Sequence, residues 1–295
     1  MTMPQCTKRD PFKIDSPTCI SFSGGRTSAY MLWRVLQSND GSLPKDAIVC
    51  FANTGKEMAE TLYFVKECSD NWKVPIVWLE YAEKGDGGAG YNVVDFYNCS
   101  RYGEPFELLI KKRKYLPNPV TRFCTVELKI RVIHKFLKSH GWLLGDGYDM
   151  ATGIRADEQR RIAKIRARGT TSESAKANMI LPLVDAGVTK KEVGDFWKSQ
   201  PFDLRLENNN GVTMHGNCDL CFLKGTKQVY SLIQEKPGRA VWWAKMEALQ
   251  LASKPSGAVF RSDRPTYQSM HDYALVQSDM FSDSVDETIE CFCGD

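Results

Sequence analysis

At 295 residues and a formal net charge of +3, the chain is long enough for one large domain or two smaller ones and is only mildly basic. Hydrophobic residues make up 42% and charged residues 25%, the balance of a folded globular protein rather than a disordered or fibrous one. No run approaches the ~18 apolar residues that span a bilayer. The opening MTMPQCTKRDPFKID has no apolar stretch of the secretory kind, so a cytoplasmic protein without a membrane partner is expected.

The elements alternate. Thr18–Ser23 reads as a short strand, and Thr27–Gln37 has helical spacing with apolar Tyr30, Met31, Trp33, Val35 and Leu36. Ala47–Ala52 reads as a buried strand, Glu57–Trp72 as an amphipathic helix and Pro75–Glu80 as a third strand. Gly85–Gly90 (GDGGAG) reads as a loop. Glu107–Lys114 and Val126–His140 read as helices, and Tyr148–Thr152 as a strand followed by Gly153. Glu158–Arg168 is strongly basic, and Thr170–Asn178 is polar enough for a loop. Thr189–Ser199 is a helix with Glu192 at the capping-box position. Glu207–Gly211 reads as a turn, Lys227–Ile233 and Arg239–Ala252 as helices, and Ser278–Glu287 as a loose acidic segment. Strand–helix repeats of this length imply an α/β fold with a doubly wound, mostly parallel sheet.

Two turns look suited to an anion. SFSGGRTS follows a strand and opens a helix. Gly24 and Gly25 let the backbone approach closely, Ser23, Thr27 and Ser28 offer hydroxyls, and the helix start offers amides and a positive dipole end. FANTGKE ends the next strand with Asn53, Thr54 and Gly55. In an open parallel sheet both turns would face one crevice at the carboxyl ends of the strands. Arg155 directly follows a strand and reads as a phosphate or sulfate ligand. Arg160, Arg161, Lys164, Arg166 and Arg168 follow it, suited to clamp such groups or to track a nucleic-acid backbone.

Of ten cysteines, Cys19, Cys50 and Cys68 lie in apolar or helical runs and read as small buried residues. Cys218-x-x-Cys221 (GNCDLC) has a spacing shared by redox, zinc and iron–sulfur sites.

SFSGGRTS resembles the PP-loop of the adenine-nucleotide alpha-hydrolase superfamily. FANTGKEMAET, GIRADEQRR (Gly153–Arg161) and LPLVDAGVTKKEVGDF (Leu181–Phe196) resemble further motifs of the phosphoadenosine phosphosulfate (PAPS) reductase family, over roughly Thr18–Leu223. The resemblance implies a Rossmann-like domain at 18–205, after an N-terminal extension at 1–17 and before a cysteine-bearing helical region with a mobile tail at 206–295. It implies an adenine nucleotide, ATP or of adenylyl-sulfate type, held by Ser21, Ser23, Gly24, Gly25, Arg26, Thr27, Ser28, Asn53, Thr54, Gly55 and Arg155.

It also implies a [4Fe–4S] cluster on Cys124 (in RFCTVELK), Cys218 and Cys221, with Cys291 or Cys293 of the terminal ECFCGD as fourth ligand or an open fourth iron. Glu290-Cys291 resembles the start of the family's C-terminal ECG motif, which makes a tail cysteine, Cys291 or Cys293, the nucleophile on sulfur, released afterwards by a thioredoxin-like reductant. Thr27 and Asn53 stand where relatives that cleave ATP with Mg²⁺ carry carboxylates, and Arg26 stands for a common Lys. Three activities follow as expectations. One is sulfonucleotide reduction; another is ATP-dependent thiolation of tRNA or DNA; the third is a non-catalytic iron–sulfur nucleotide sensor, and any of these is compatible with a homo-oligomer.

Overall fold

The computed structural model describes residues 9–85, 88–208, 213–216, 218–253 and 257–276. In chain order they form β1 (Thr18–Phe22), α1 (Arg26–Ser38), β2 (Ala47–Asn53), α2 (Ala59–Trp72), β3 (Ile76–Glu83), β4 (Ala89–Val94) and α3 (Glu104–Arg113). Next, α4 (Phe123–Thr125), a π-helical turn (Val126–Ile130) and α5 (Arg131–Ser139) run end to end. Then come β5 (Tyr148–Thr152), α6 (Gln159–Arg168), β6 (Ala177–Ile180), α7 (Pro182–Asp185) and α8 (Lys190–Ser199). The helices α9 (Thr226–Glu235), α10 (Gly238–Ser253) and α11 (Tyr267–Val276) close the described chain.

The strands make one sheet in the order β4-β3-β2-β1-β5-β6, parallel except for β4 against β3. From β1 the chain steps outward through β2 to β3, then returns to the other side of β1 to lay down β5. The sheet therefore reverses direction between β1 and β5, where such sheets form a ligand crevice.

Side chains divide by strand period. Cys19, Cys50 and Leu79 point to one face and join a core with the α3–α5 layer and with Trp243, Phe260 and Tyr267 from the C-terminal segment. Ile20, Val49, Phe51 and Trp78 point to the other face and pack under α1, α2 and α8. Both faces are covered, which is why these strands read as continuous apolar runs.

Two strands depart from the sequence expectation. The loop expected at Gly85–Gly90 gives way to β4 from Ala89, an antiparallel edge strand with Asn92 and Val93 exposed. The Thr170–Asn178 loop contains the start of β6, also an edge strand. α11 has no counterpart in the expectations, and the turn at Glu207–Gly211 lies partly outside the described residues. The capping box of Thr189 and Glu192 is present as expected. No helix among the described residues is long and apolar enough to cross a membrane.

Candidate functional site

The β1–α1 loop is shaped by tight packing beneath it. Gly24 has φ +80°, and a Cβ there would sit 2.6 Å from Cγ2 of Thr61 on α2. Gly25 caps α1 in an extended conformation, and no side chain bonds the first-turn amides. The helix start thus presents donors without a protein acceptor of the capping kind. From the other side of the sheet reversal, Gly153 presses against the same loop, its missing Cβ 3.0 Å from Cα of Ser28.

Ser23, Gly24, Gly25, Arg26, Thr27 and Arg155 line one pocket of about 70 Å³, joined by Glu57, Lys129 and Lys190. Arg155 donates from Nη1 to Oγ1 of Thr27 at 3.0 Å. Its own backbone is fixed by Glu158, which accepts from the Arg155 amide at 2.8 Å.

The other residues expected to hold the nucleotide have different places. Ser28 is buried and braces the loop: its Oγ accepts from the Ser23 amide at 3.2 Å and lies 2.9 Å from the Ser23 hydroxyl. The Arg26 guanidinium, expected to remain for phosphate, is taken by Asp203, with Nε–Oδ1 2.7 Å and Nη2–Oδ2 2.5 Å, and by the Leu206 carbonyl. It pins the segment after α8 onto the loop. Asn53 is fully buried, donating to Glu80 at 2.6 Å and to the Ser100 carbonyl at 2.8 Å while its Oδ1 accepts from the Gly55 amide. It shapes the second turn from within. Thr54 is buried and donates to Glu57, and Ser21 faces a different pocket, described below.

The cysteines converge. Cys124, Cys218 and Cys221 line one small apolar pocket of about 20 Å³, with Thr54, Phe106 and Trp243 among its walls. Oγ1 of Thr54 lies 3.6 Å from Sγ of Cys218. The CxxC loop is bolted to the turn that follows β2. Glu57 and Cys218 form an antiparallel bridge, and the Asp219 amide donates to the Lys56 carbonyl at 2.8 Å. A buried ion pair joins Lys56 Nζ to Asp219 at 2.9 Å, and Trp243 Nε1 donates to the same carboxylate at 2.8 Å. Behind it, Lys224 donates to the Cys218 carbonyl at 2.9 Å, and Tyr267 donates to the Leu220 carbonyl at 2.6 Å. His215, four residues before Asp219, pairs through Nε2 with Glu235 at 2.7 Å.

The thiols fit a soft metal in kind. Among the described residues, however, no group of three or more His, Cys, Asp or Glu is gathered closely enough to hold a metal ion. Cys291 and Cys293, expected as nucleophile and fourth ligand, lie outside the described residues. Cys19, Cys50 and Cys68 are wholly buried, as the sequence suggested. Burial pushes the Cys68 thiol far up, and the neighbouring Cys50 does the same to Cys19.

The centre of the arrangement is Lys129, one of the cations that flank Cys124 in the sequence. Lys129 lines the loop pocket, the cysteine pocket and a third, larger one, with Nζ 3.7 Å from Oε1 of Glu57. It sits in the π-helical turn that begins two residues after Cys124, where an extra residue in the turn re-aims the side chains that follow.

No protein-family model matches the chain. In its folded form it is similar to the crystal structure of phosphoadenylyl-sulfate (PAPS) reductase from Candida auris in a phosphate complex. That likeness covers 62% of this chain and 71% of the other, at 14% identity and a TM-score of 0.36. In sequence it is 31% identical over 228 residues to the "Uncharacterized nin region protein ORF290" of Escherichia phage lambda, covering 74% of this chain and 70% of the phage protein. The chain therefore belongs to the family of the phage lambda nin region protein ORF290.

Proposed function

We propose that the chain is an enzyme that holds an adenine nucleotide by its phosphates at the β1–α1 loop and carries out sulfur chemistry on it. The observation behind this is the adjacency of two unlike pockets. One has open helix-start amides, Thr27 and Arg155; the other has three thiols, and Lys129 lines both. Backbone amides and a guanidinium suit phosphate oxygens, and thiols suit sulfur transfer.

Sulfonucleotide reduction fits best. A tail thiolate of Cys291 or Cys293 attacks the sulfur of the bound nucleotide's sulfo group. A sulfur–sulfur bond forms as the sulfur–oxygen bond breaks, and the electron pair leaves on the phosphate oxygen. Arg155 and the loop amides stabilise that developing charge. A dithiol reductant of thioredoxin type then attacks the sulfonated cysteine; sulfite leaves, the reductant's second thiol resolves the mixed disulfide, and the reductant departs oxidised. The same reading gives Cys124, Cys218, Cys221 and Cys293 to a [4Fe–4S] cluster, whose role would be electrostatic. The exposed basic side chains of Arg160, Lys164 and Arg168 on α6 favour a second reading, ATP-dependent thiolation of tRNA or DNA.

Anaerobically prepared full-length protein, with iron and sulfide counted, is titrated with ATP, adenylyl sulfate and PAPS. Sulfite release on adding a dithiol reductant supports the first reading, and its loss in Cys291→Ser or Cys293→Ser with unchanged iron identifies the nucleophile. Binding of ATP and nucleic acid without sulfite release supports the second. A protein that binds no nucleotide overturns both.

A further inference from the structure

A third pocket lies on the other side of the sheet reversal, beneath α5 and α6. At about 400 Å³ it is far larger than the loop pocket and within the range of small-molecule sites. Its floor is apolar, with Ile133, Met150 and Met179. Its lining includes Arg122, Lys129, Arg161, Lys164 and Arg168 and no carboxylate.

Arg161 decides what the pocket is for. It is 4% exposed, set among the buried Ile162 and Ile165 of α6. Its Nη1 meets Oε1 of Glu158. Its Nε and Nη2 are buried without any hydrogen-bond partner. A buried guanidinium with two unmet donors is costly, so it persists where an acceptor completes it. These two atoms form the side-on fork that grips a planar or tetrahedral oxyanion bidentately. Elsewhere in this protein the same pair of atoms holds a carboxylate: Arg26 grips Asp203, and Arg131 grips Glu173 at 2.8 and 3.0 Å. Among these three, only Arg161 has no carboxylate on that fork, and it is a residue of the pocket wall.

We propose that this pocket binds a second small molecule carrying a phosphate or sulfate group, with Arg161 as the buried anchor of the anion and the apolar floor taking its body. The site is distinct from the loop pocket and stands whether or not that loop takes a nucleotide.

The test uses the full chain with inorganic phosphate, inorganic sulfate, adenosine 5′-monophosphate and adenosine as probes. Affinity is read by calorimetry and location by hydrogen exchange. Phosphate and the monophosphate are expected to protect the amides of Gln159–Arg168, and adenosine to bind roughly tenfold or more weakly. Whether sulfate or phosphate displaces the monophosphate better distinguishes the two ester classes. Arg161→Gln is expected to lose this protection and roughly tenfold or more in affinity, while Arg161→Lys keeps part of it. Protection of the β1–α1 loop stays in Arg161→Gln and is lost in Arg155→Gln, so failure of the nucleotide reading leaves a separate signature. Should Arg161→Gln fold poorly by circular dichroism, Lys164→Gln on the exposed rim carries the test, with a smaller loss expected. Unchanged α6 protection in folded Arg161→Gln overturns the proposal. So does α6 protection by a single-stranded oligonucleotide alone, with phosphate and the monophosphate inert.

Discussion

The buried pair of Lys56 and Asp219 ties the turn after β2 to the cysteine loop, and Asp219→Asn measures that tie. The side chains are 8% and 12% exposed and lie 2.9 Å apart. Asp219 also accepts from Trp243 and from the Leu220 amide, each at 2.8 Å, so the carboxylate is fully used. An asparagine keeps the shape but turns a donor toward the Lys56 ammonium, which is left charged inside the protein and against Trp242. Breaking one side of such a pair costs about 3–5 kcal/mol. For a chain of this size that lowers the melting temperature by roughly 5–8 °C.

Urea denaturation at neutral pH gives the cost directly, through the midpoint at constant slope. The double variant Lys56→Met/Asp219→Asn removes the stranded charge and is expected to recover more than half the loss. Because Asp219 adjoins Cys218, the single variant is also expected to raise the alkylation rate of that thiol. A loss under about 1 kcal/mol, or a double variant as unstable as the sum of the singles, would refute the argument that the pair is buried and coupled.

Three further outcomes are expected. Gly24→Ala forces a residue to φ +80° and drives its Cβ into Thr61, costing about 2–4 kcal/mol in thermal denaturation; adding Thr61→Ser relieves the contact and returns part of that. Arg239 first, and then the hydrogen bond from His215, hold the Glu235 carboxyl below its ordinary value of 4.5, so its contribution is complete above that pH and fades as pH falls below it. Glu235→Gln should therefore destabilise the protein at pH 7 and lose less on acidification to about pH 4 than the parent does, in denaturation curves at the two pH values. With iodoacetamide and mass spectrometry, Cys124 and Cys218, both partly exposed, are expected to label in the native protein while Cys19, Cys50 and Cys68 do not. Labelling of Cys68 at the rate of Cys124 would contradict its burial.

The elements that could be read in advance carry their signal locally. β1, β2 and β3 are apolar on both faces, and α1, α2 and α8 have helical spacing, so the core of the sheet follows from periods of two and three to four residues. The edges do not. β4 (AGYNVV) and β6 (ANMI) lie at the two edges of the sheet, and neither shows the unbroken apolar run of the central strands. The candidate site divides the same way. Gly24 and Gly25 were legible from turn chemistry, and the convergence of Cys124 with Cys218 and Cys221 from the resemblance to the PAPS reductase family. The capture of Arg26 by Asp203 was not, since the two are separated by 177 residues and meet only after the sheet forms.

The sheet order explains why these pieces meet at one place. Because β5 lies beside β1 rather than beyond β3, the β5–α6 turn with Gly153 and Arg155 comes down on the β1–α1 loop, and α6 is carried to the opposite side of the reversal. The loop pocket then opens over the α1 and α2 face, and the Arg161 pocket over the α5 face. Lys129 is the residue the two share, and its π-helical turn begins two residues after Cys124. A ligand entering either pocket therefore touches the segment that carries the first thiol. A positive charge at Lys129 favours phosphate oxygens in a pocket and thiolate on a cysteine, so one variant tests both. Lys129→Met should weaken phosphate binding and slow Cys124 alkylation together. A variant that loses one and keeps the other would show that the three pockets act separately.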